Sequence, residues 1–229
     1  MKKTTTYQKI TTQLKIKIPM SIAHDFLALA INKNVLKFGD FTLKSGRISP
    51  YFFNAGLFDD GRSMSLLGEY YARTIKDSGL TFDMLYGPAY KGIPLATAIA
   101  VAWFQLYGEN IPIAFNRKEQ KDHGEGGVLI GAPIQGNVLI VDDVVSAGTS
   151  VRESIDIINA QSAQVVGIAV ALDRQEKGKG ALSAMQELQE AYQLKTISIA
   201  NLDSLFDYLQ GDHENLERVA QYRNKFGVY

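Results

Sequence analysis

The chain of 229 residues contains no cysteine. Its absence excludes disulfides, thiolate nucleophiles and zinc-thiolate centres, and it points to an intracellular, cytoplasmic setting. An excess charge of one sign is also missing, since 24 basic residues balance 24 acidic ones. No global field draws such a protein to nucleic acid or to an anionic membrane, so any anion recognition has to be local. Long hydrophobic runs are absent as well. The longest, Ile93–Phe104, is too short to span a bilayer and reads as a buried helix. No apolar stretch follows Met1-Lys2-Lys3 in the way a secretory signal requires. Two phosphate motifs are lacking too. Gly87–Gly92 is followed by Ile93-Pro94 rather than Lys-Ser/Thr, which excludes a Walker A loop, and no run of three spaced glycines marks a dinucleotide site. There is no internal repeat and no low-complexity linker.

What is present suits one sizeable core, because 46% of the residues are hydrophobic. Five strand-like segments recur: Phe82–Gly87, Ile111–Asn116, Asn137–Asp143, Gln164–Asp173 and Lys195–Ala200. Helical patterns fall between most of them, at Gly92–Tyr107, Thr149–Gln161 and Leu182–Tyr192. Such alternation predicts an α/β fold, a parallel sheet of about five strands flanked by helices, with ligands at the carboxyl ends of the strands. Ahead of it, Ile22–Ile31 and Ser63–Ile75 read as helices, and Phe41–Ser45 and Tyr51–Asn54 as short antiparallel strands. The expected division is an extension over residues 1–18, loosely docked, with five lysines and no acid in the first 24 positions. A helix and hood segment follows over 19–80, then an α/β core over 81–229 that ends in amphipathic helix from Leu202 to Phe226.

The densest chemistry lies in Val138–Ser150. An apolar run ends in Asp142 and Asp143, and Val144-Val145-Ser146-Ala147-Gly148-Thr149-Ser150 leads into a helix. An isolated acidic pair commonly just ends a strand and caps a helix. The loop changes that reading. Gly148 admits close approach of a ligand, Ser146, Thr149 and Ser150 add hydroxyl donors, and the helix start supplies free amides and a positive dipole end. Two carboxylates beside an anion pocket suit a ligand carrying a phosphate and vicinal hydroxyls, such as a ribose 5-phosphate. A second cluster, Asn116–Gly127, has four potentially cationic side chains within seven residues, namely Arg117, Lys118, Lys121 and His123. Most charge-dense loops are only solvated. Here the glycines predict a mobile loop that can close over a highly charged leaving group and exclude water.

Val138–Ser150 resembles the ribose-5-phosphate and diphosphate signature of the type I phosphoribosyltransferases. The order Arg-Lys-x-x-Lys-x-His-Gly resembles the catalytic loop of one branch, the bacterial orotate phosphoribosyltransferases. Three more segments resemble the same branch. Phe41–Arg47 with Ser49–Asn54, which contains Lys44, Phe52 and Phe53, matches its base-binding segment. Gly87-Pro88-Ala89-Tyr90-Lys91-Gly92 matches its diphosphate loop. Leu172–Glu176 matches the strand end whose arginine, here Arg174, meets the orotate carboxylate. Ser146 stands where the branch often has threonine and keeps the hydroxyl. The five matches cover about residues 35–180.

The resemblance implies a type I phosphoribosyltransferase fold and Mg²⁺-dependent transfer of ribose 5-phosphate from phosphoribosyl diphosphate to orotate, in pyrimidine synthesis. It implies that Ser146–Ser150 hold the 5-phosphate and that Asp142 and Asp143 hold the ribose hydroxyls. Lys91, Arg117, Lys118 and Lys121 would neutralise diphosphate, with His123 as its proton donor and Tyr90 in the same loop. Lys44 and Arg174 would hold orotate, aided by backbone near Phe52 and Phe53. No all-protein metal cage is expected, the Mg²⁺ lying mainly on ligand oxygens and water. A homodimer sharing its mobile loop between subunits is implied too. The alternatives are a purine or other phosphoribosyltransferase and a non-catalytic regulator that binds phosphoribosyl diphosphate.

Overall fold

The computed structural model describes residues 21–43, 45–121, 127–178 and 180–228; the extension expected over 1–18, and also Lys44 and His123, lie outside them. The chain runs α1 (Ile22–Asn32), β1 (Leu36–Thr42), β2 (Ile48–Phe53), α2 (Gly61–Asp77), β3 (Met84–Tyr86) and α3 (Gly92–Tyr107). Next come β4 (Ile113–Lys121), β5 (Gly127–Gly131), β6 (Asn137–Asp142), α4 (Thr149–Asn159), β7 (Gln164–Asp173) and α5 (Ala184–Tyr192). The last elements are β8 (Lys195–Asn201), α6 (Leu202–Tyr208) and α7 (His213–Phe226), with single 3-10 turns at Ala55–Leu57 and Leu209–Gly211.

The main sheet has the order β5-β4-β3-β6-β7-β8. Five strands are parallel, as expected. The sixth, β5, is antiparallel to β4 and closes the edge. Its source corrects one expectation. Asn116–Gly127 does not begin as a loop after a strand end. Instead β4 runs on to Lys121 and pairs antiparallel with β5, with Lys121 opposite Gly127. The expected C-terminal helix is likewise two helices, α6 and α7, broken at the Leu209–Gly211 turn and restarted where Asp212 accepts from the Asn215 amide.

Strand alternation divides the core between the two faces. Leu139 and Val141 of β6 and Ala169 and Ala171 of β7 pack with α1, α2, α3, α6 and α7. Val138 and Ile140, with Ile168 and Val170, pack with α4 and α5. Successive side chains of a strand point to opposite faces, so strands covered on both sides read as unbroken apolar runs. That pattern leaves polar residues only at the strand ends. β1 and β2 form a separate antiparallel pair with Leu36 opposite Phe53. This pair meets the main sheet through side-chain bonds at the carboxyl end of β7.

Candidate functional site

Three carboxyl-end loops converge where β3, β4 and β6 run side by side. The first, Gly87–Gly92, is a tight turn. The Gly92 amide donates to the Pro88 carbonyl at 2.9 Å. A Cβ on Gly87 would stand 2.1 Å from the Gly92 oxygen, so no larger residue fits there. The Ala89–Tyr90 peptide is cis. The Ala89 amide donates to Asn116 Oδ1 at 3.0 Å, tying this loop to the end of β4. Lys118 lies over the exposed Tyr90 ring at 5.1 Å, a cation–π contact. Arg117 lies between Asn116 and Lys118 on β4. Its Nη1 is shielded from solvent without a hydrogen-bond partner among the described residues, and so is the hydroxyl of Tyr86 at the end of β3. Buried donors left unpaired are costly, which marks them as groups suited to a bound acceptor.

Asp142 and Asp143 end β6. Asp143 is buried, and its carboxylate accepts from Lys91 Nζ at 2.6 Å. Its carbonyl accepts from the Ala171 and Leu172 amides, so β7 fixes the position of the pair. The Tyr71 hydroxyl of α2 donates to the Asp142 carbonyl at 2.7 Å, and Asp142 Oδ1 accepts from the Asp143 amide at 2.9 Å. Burial first, and then the charge of Asp143, push the Asp142 carboxyl up to about 7.

Val144 and Val145 lead into Ser146 and Ala147, both exposed, and then into buried Gly148. Gly148 is left-handed (φ 73°) and caps α4 with no side-chain hydrogen bond. The hydroxyls of Ser146, Thr149 and Ser150 have no partner among the described residues. Of the seven α-helices among the described residues, only α3 and α4 start without a side-chain cap; Ser21, Asp60, Ser183, Asn201 and Asp212 cap the others. The two bare helix starts are those of the two loops that meet through Lys91 and Asp143. Exposed amides and the positive dipole end make each a place for an anion.

Arg174, just past β7, faces the β1–β2 pair. It donates from Nη2 to Ser49 Oγ at 3.0 Å and from Nε to Glu176 Oε1 at 2.8 Å, and its guanidinium lies 4.4 Å from the centre of the Tyr51 ring. Phe52 and Phe53 separate. Phe52 is 42% exposed and stacks on Phe41, whereas Phe53 is 8% exposed and packs on Phe26. The backbone of Lys121 lies in β4 and its side chain is not described. Lys44 and His123 are outside the described residues, so no geometry attaches to them.

Sequence reasoning gave no role to Tyr71, Ser49, Tyr51, Asn116 or Glu176. The first three act across gaps of 71, 125 and 125 residues, which no local pattern reveals. Glu176 had a signal, an opposite charge two positions from Arg174 in a chain about to turn.

Among the described residues no group of three or more His, Cys, Asp or Glu side chains is placed to hold a metal, and no helix is long and apolar enough to cross a membrane. Residues 57–192 match the family model of the phosphoribosyl transferase domain. The orotate phosphoribosyltransferase of Thioalkalivibrio sulfidiphilus is 57% identical over 207 residues, which is 89% of this chain and 97% of that protein. The enzyme of that name from Pectobacterium carotovorum is 56% identical over 206 residues, 89% of this chain and 97% of its own. Among solved structures, the orotate phosphoribosyltransferase of Francisella tularensis superposes with a TM-score of 0.82 at 41% identity. It covers 89% of this chain and 100% of its own.

Proposed function

The chain belongs to the orotate phosphoribosyltransferase family, and from that premise we propose how its residues share the reaction. The enzyme transfers ribose 5-phosphate from phosphoribosyl diphosphate to orotate, giving orotidine 5'-phosphate and diphosphate, a step of pyrimidine synthesis. A purine acceptor is not favoured, since a neutral base offers Arg174 no carboxylate.

The anomeric C–O bond breaks through an oxocarbenium-like state, with positive charge growing on the ribose and negative charge on the departing diphosphate. An orotate ring nitrogen is itself the nucleophile, so the protein contributes position and electrostatics. Amides and hydroxyls of Ser146–Ser150 at the bare start of α4 hold the 5-phosphate. Asp142 and Asp143 accept from the ribose hydroxyls. Lys91, Arg117, Lys118 and Lys121 neutralise the diphosphate, and His123 supplies its proton. Arg174 and Lys44 hold orotate, Arg174 at its carboxylate, beside the backbone of Phe52 and Phe53. The β1–β2 pair lying against Arg174 supports treating residues 19–80 as helix and hood over a core at 81–229.

The donor set fits Mg²⁺. Asp142 and Asp143 are hard oxygen donors, one already engaged by Lys91, so a cation that keeps waters and ligand oxygens suits them better than a protein cage would. When bound, the ion adds charge neutralisation on the diphosphate. A homodimer is supported by α3, which carries no charged residue over its length and exposes Val101, Phe104 and Leu106. A cytoplasmic place of action completes the proposal.

One observation carries this reading: the 2.6 Å Lys91–Asp143 pair joins the diphosphate loop to the ribose motif beside two uncapped helix starts. Purified protein with orotate, phosphoribosyl diphosphate and Mg²⁺ tests it. Orotate absorbance should fall, with no turnover of uracil or hypoxanthine; consumption of a neutral base in preference to orotate would overturn the assignment. Mixing Lys121→Ala with Arg174→Ala after confirmed subunit exchange should restore part of the activity if loops cross a dimer.

A further inference from the structure

Arg174 and Glu176 form a pair whose side chains are only 16% and 12% exposed. A single carboxylate oxygen, Glu176 Oε1, takes every bond. It accepts from Arg174 Nε at 2.8 Å, lies 2.6 Å from Nη2, and accepts from the Tyr51 hydroxyl at 3.3 Å. Nη2 also donates to Ser49 Oγ, whose own hydroxyl donates to the Tyr51 carbonyl. The Tyr51 ring supports the guanidinium from one side. The Nε–Nη2 side is therefore spoken for, the Tyr222 side chain of α7 also lies against both members of the pair, and Nη1 makes no hydrogen bond to the described residues.

The segment bearing Glu176 is fixed at each position. Val228 donates to the Gln175 carbonyl and Lys177 to the Phe226 carbonyl, both at 2.8 Å. Glu176 bridges to Gly227, and Arg47 donates to the Lys177 and Gly178 carbonyls. Gln175, left-handed between the pair (φ 47°), exchanges two bonds with Asp203. Three parts of the fold, the β1–β2 turn, the start of α6 and the C-terminal tail, thus hold one carboxylate still. Such restraint exceeds what a neutralising partner needs.

We propose that Glu176 is a positioning residue for acceptor recognition: it locks the Arg174 guanidinium so that Nη1 presents its donors to the orotate carboxylate. The inference rests on the reading that Arg174 meets that carboxylate. A guanidinium swinging on its long stem loses affinity through entropy and misalignment, and a buried carboxylate removes both losses. Because one oxygen does all the accepting, a glutamine can replace it. Leucine fills similar space but accepts nothing.

Steady-state kinetics on Glu176→Gln, Glu176→Leu, Arg174→Ala and the double variant Arg174→Ala/Glu176→Leu test the proposal. Glu176→Leu should raise the KM for orotate about tenfold or more, as misplacement of a substrate contact does, with KM for phosphoribosyl diphosphate and saturating kcat unchanged. Glu176→Gln should stay within about threefold of wild type in all three constants. The double variant, which removes both buried charges and so keeps a sound fold, should match Arg174→Ala. Proportionate losses in both KM values, or a double variant much worse for orotate than Arg174→Ala, would overturn the positioning role. An unchanged orotate KM in Arg174→Ala would instead overturn the reading of Arg174 beneath it.

Discussion

Helices α4 and α5 lie on the same face of the sheet and begin in opposite ways. Val151, Ile155 and Ile158 of α4 share an apolar cluster with Met185 and Leu188 of α5, and Arg152 approaches Glu187 at 3.6 Å. At the start of α5, Ser183 accepts from the Gln186 amide, and the Gln186 side chain accepts from the Ser183 amide. This capping box answers the helix's orphan donors from within the chain. At the start of α4, left-handed Gly148 has no side chain to offer. The orphan donors there stay open to a ligand. α3 follows α4, and the other α-helices follow α5. The difference teaches where binding capacity sits in this fold: it is concentrated at the helix starts that local structure leaves unsatisfied.

The harshest way to break the comparison is to give α4 an internal anion. Ser150→Asp puts a carboxylate in its first turn. That charge favours the helix dipole by about 0.3–1 kcal/mol. It also opposes the 5-phosphate directly, and like-charge juxtaposition costs several kcal/mol. The kcat/KM for phosphoribosyl diphosphate should fall by ~10²-fold or more while Tm holds or rises. A normal KM for phosphoribosyl diphosphate in this variant would mean that the 5-phosphate docks elsewhere.

The α4 start was legible in the sequence because its information is local: an apolar run, two acids and a small-residue loop occupy consecutive positions. The same holds for α3, whose bounds Gly92–Tyr107 are those read from its uncharged apolar pattern. The cationic cluster was legible in kind and misread in shape. Its alternating charges carry no hydrophobic period, so nothing local marked the extension of β4 to Lys121 or its pairing with β5. β1 begins at Leu36, ahead of the expected Phe41, because the register shift between Phe38 and Phe41 interrupts its alternation. The clasp on Arg174 from Ser49 and Tyr51 depends on contacts far apart in the chain, and only the folded arrangement reveals it.

A second, smaller effect separates the two helix starts by pH. Ahead of α4, burial and then Asp143 raise the Asp142 carboxyl to about 7. The unfolded chain releases that proton near pH 4. Between these values the folded state holds a proton that the unfolded state has lost, so stability falls as pH rises from about 4 to about 7 and levels off above. Asp142→Asn should remove this contribution, raising Tm more at about pH 8 than at about pH 5. Ribose hydroxyls donating to Asp142 favour its ionised form. Affinity for phosphoribosyl diphosphate should therefore rise with pH by up to about tenfold per unit below 7 and then flatten. A KM for phosphoribosyl diphosphate that stays flat across this range in the wild type would remove Asp142 from ribose binding.

The smallest effect comes from opening the capped helix. Ser183→Ala removes the acceptor for the Gln186 amide and half of the α5 capping box. Such a loss typically costs about 1 kcal/mol. Ser183 is buried, so its orphaned amide partner has little water to turn to. Thermal melts should show a Tm lower by a few degrees, while both KM values and kcat stay at wild type. The signs of the two substitutions are then opposed. Adding a carboxylate to α4 spares the fold and destroys binding, whereas removing a hydroxyl from α5 spares binding and weakens the fold. If Ser183→Ala also raised the KM for phosphoribosyl diphosphate, the two helix starts would be coupled through their shared apolar cluster. The division between caps that stabilise and bare ends that bind would then no longer hold.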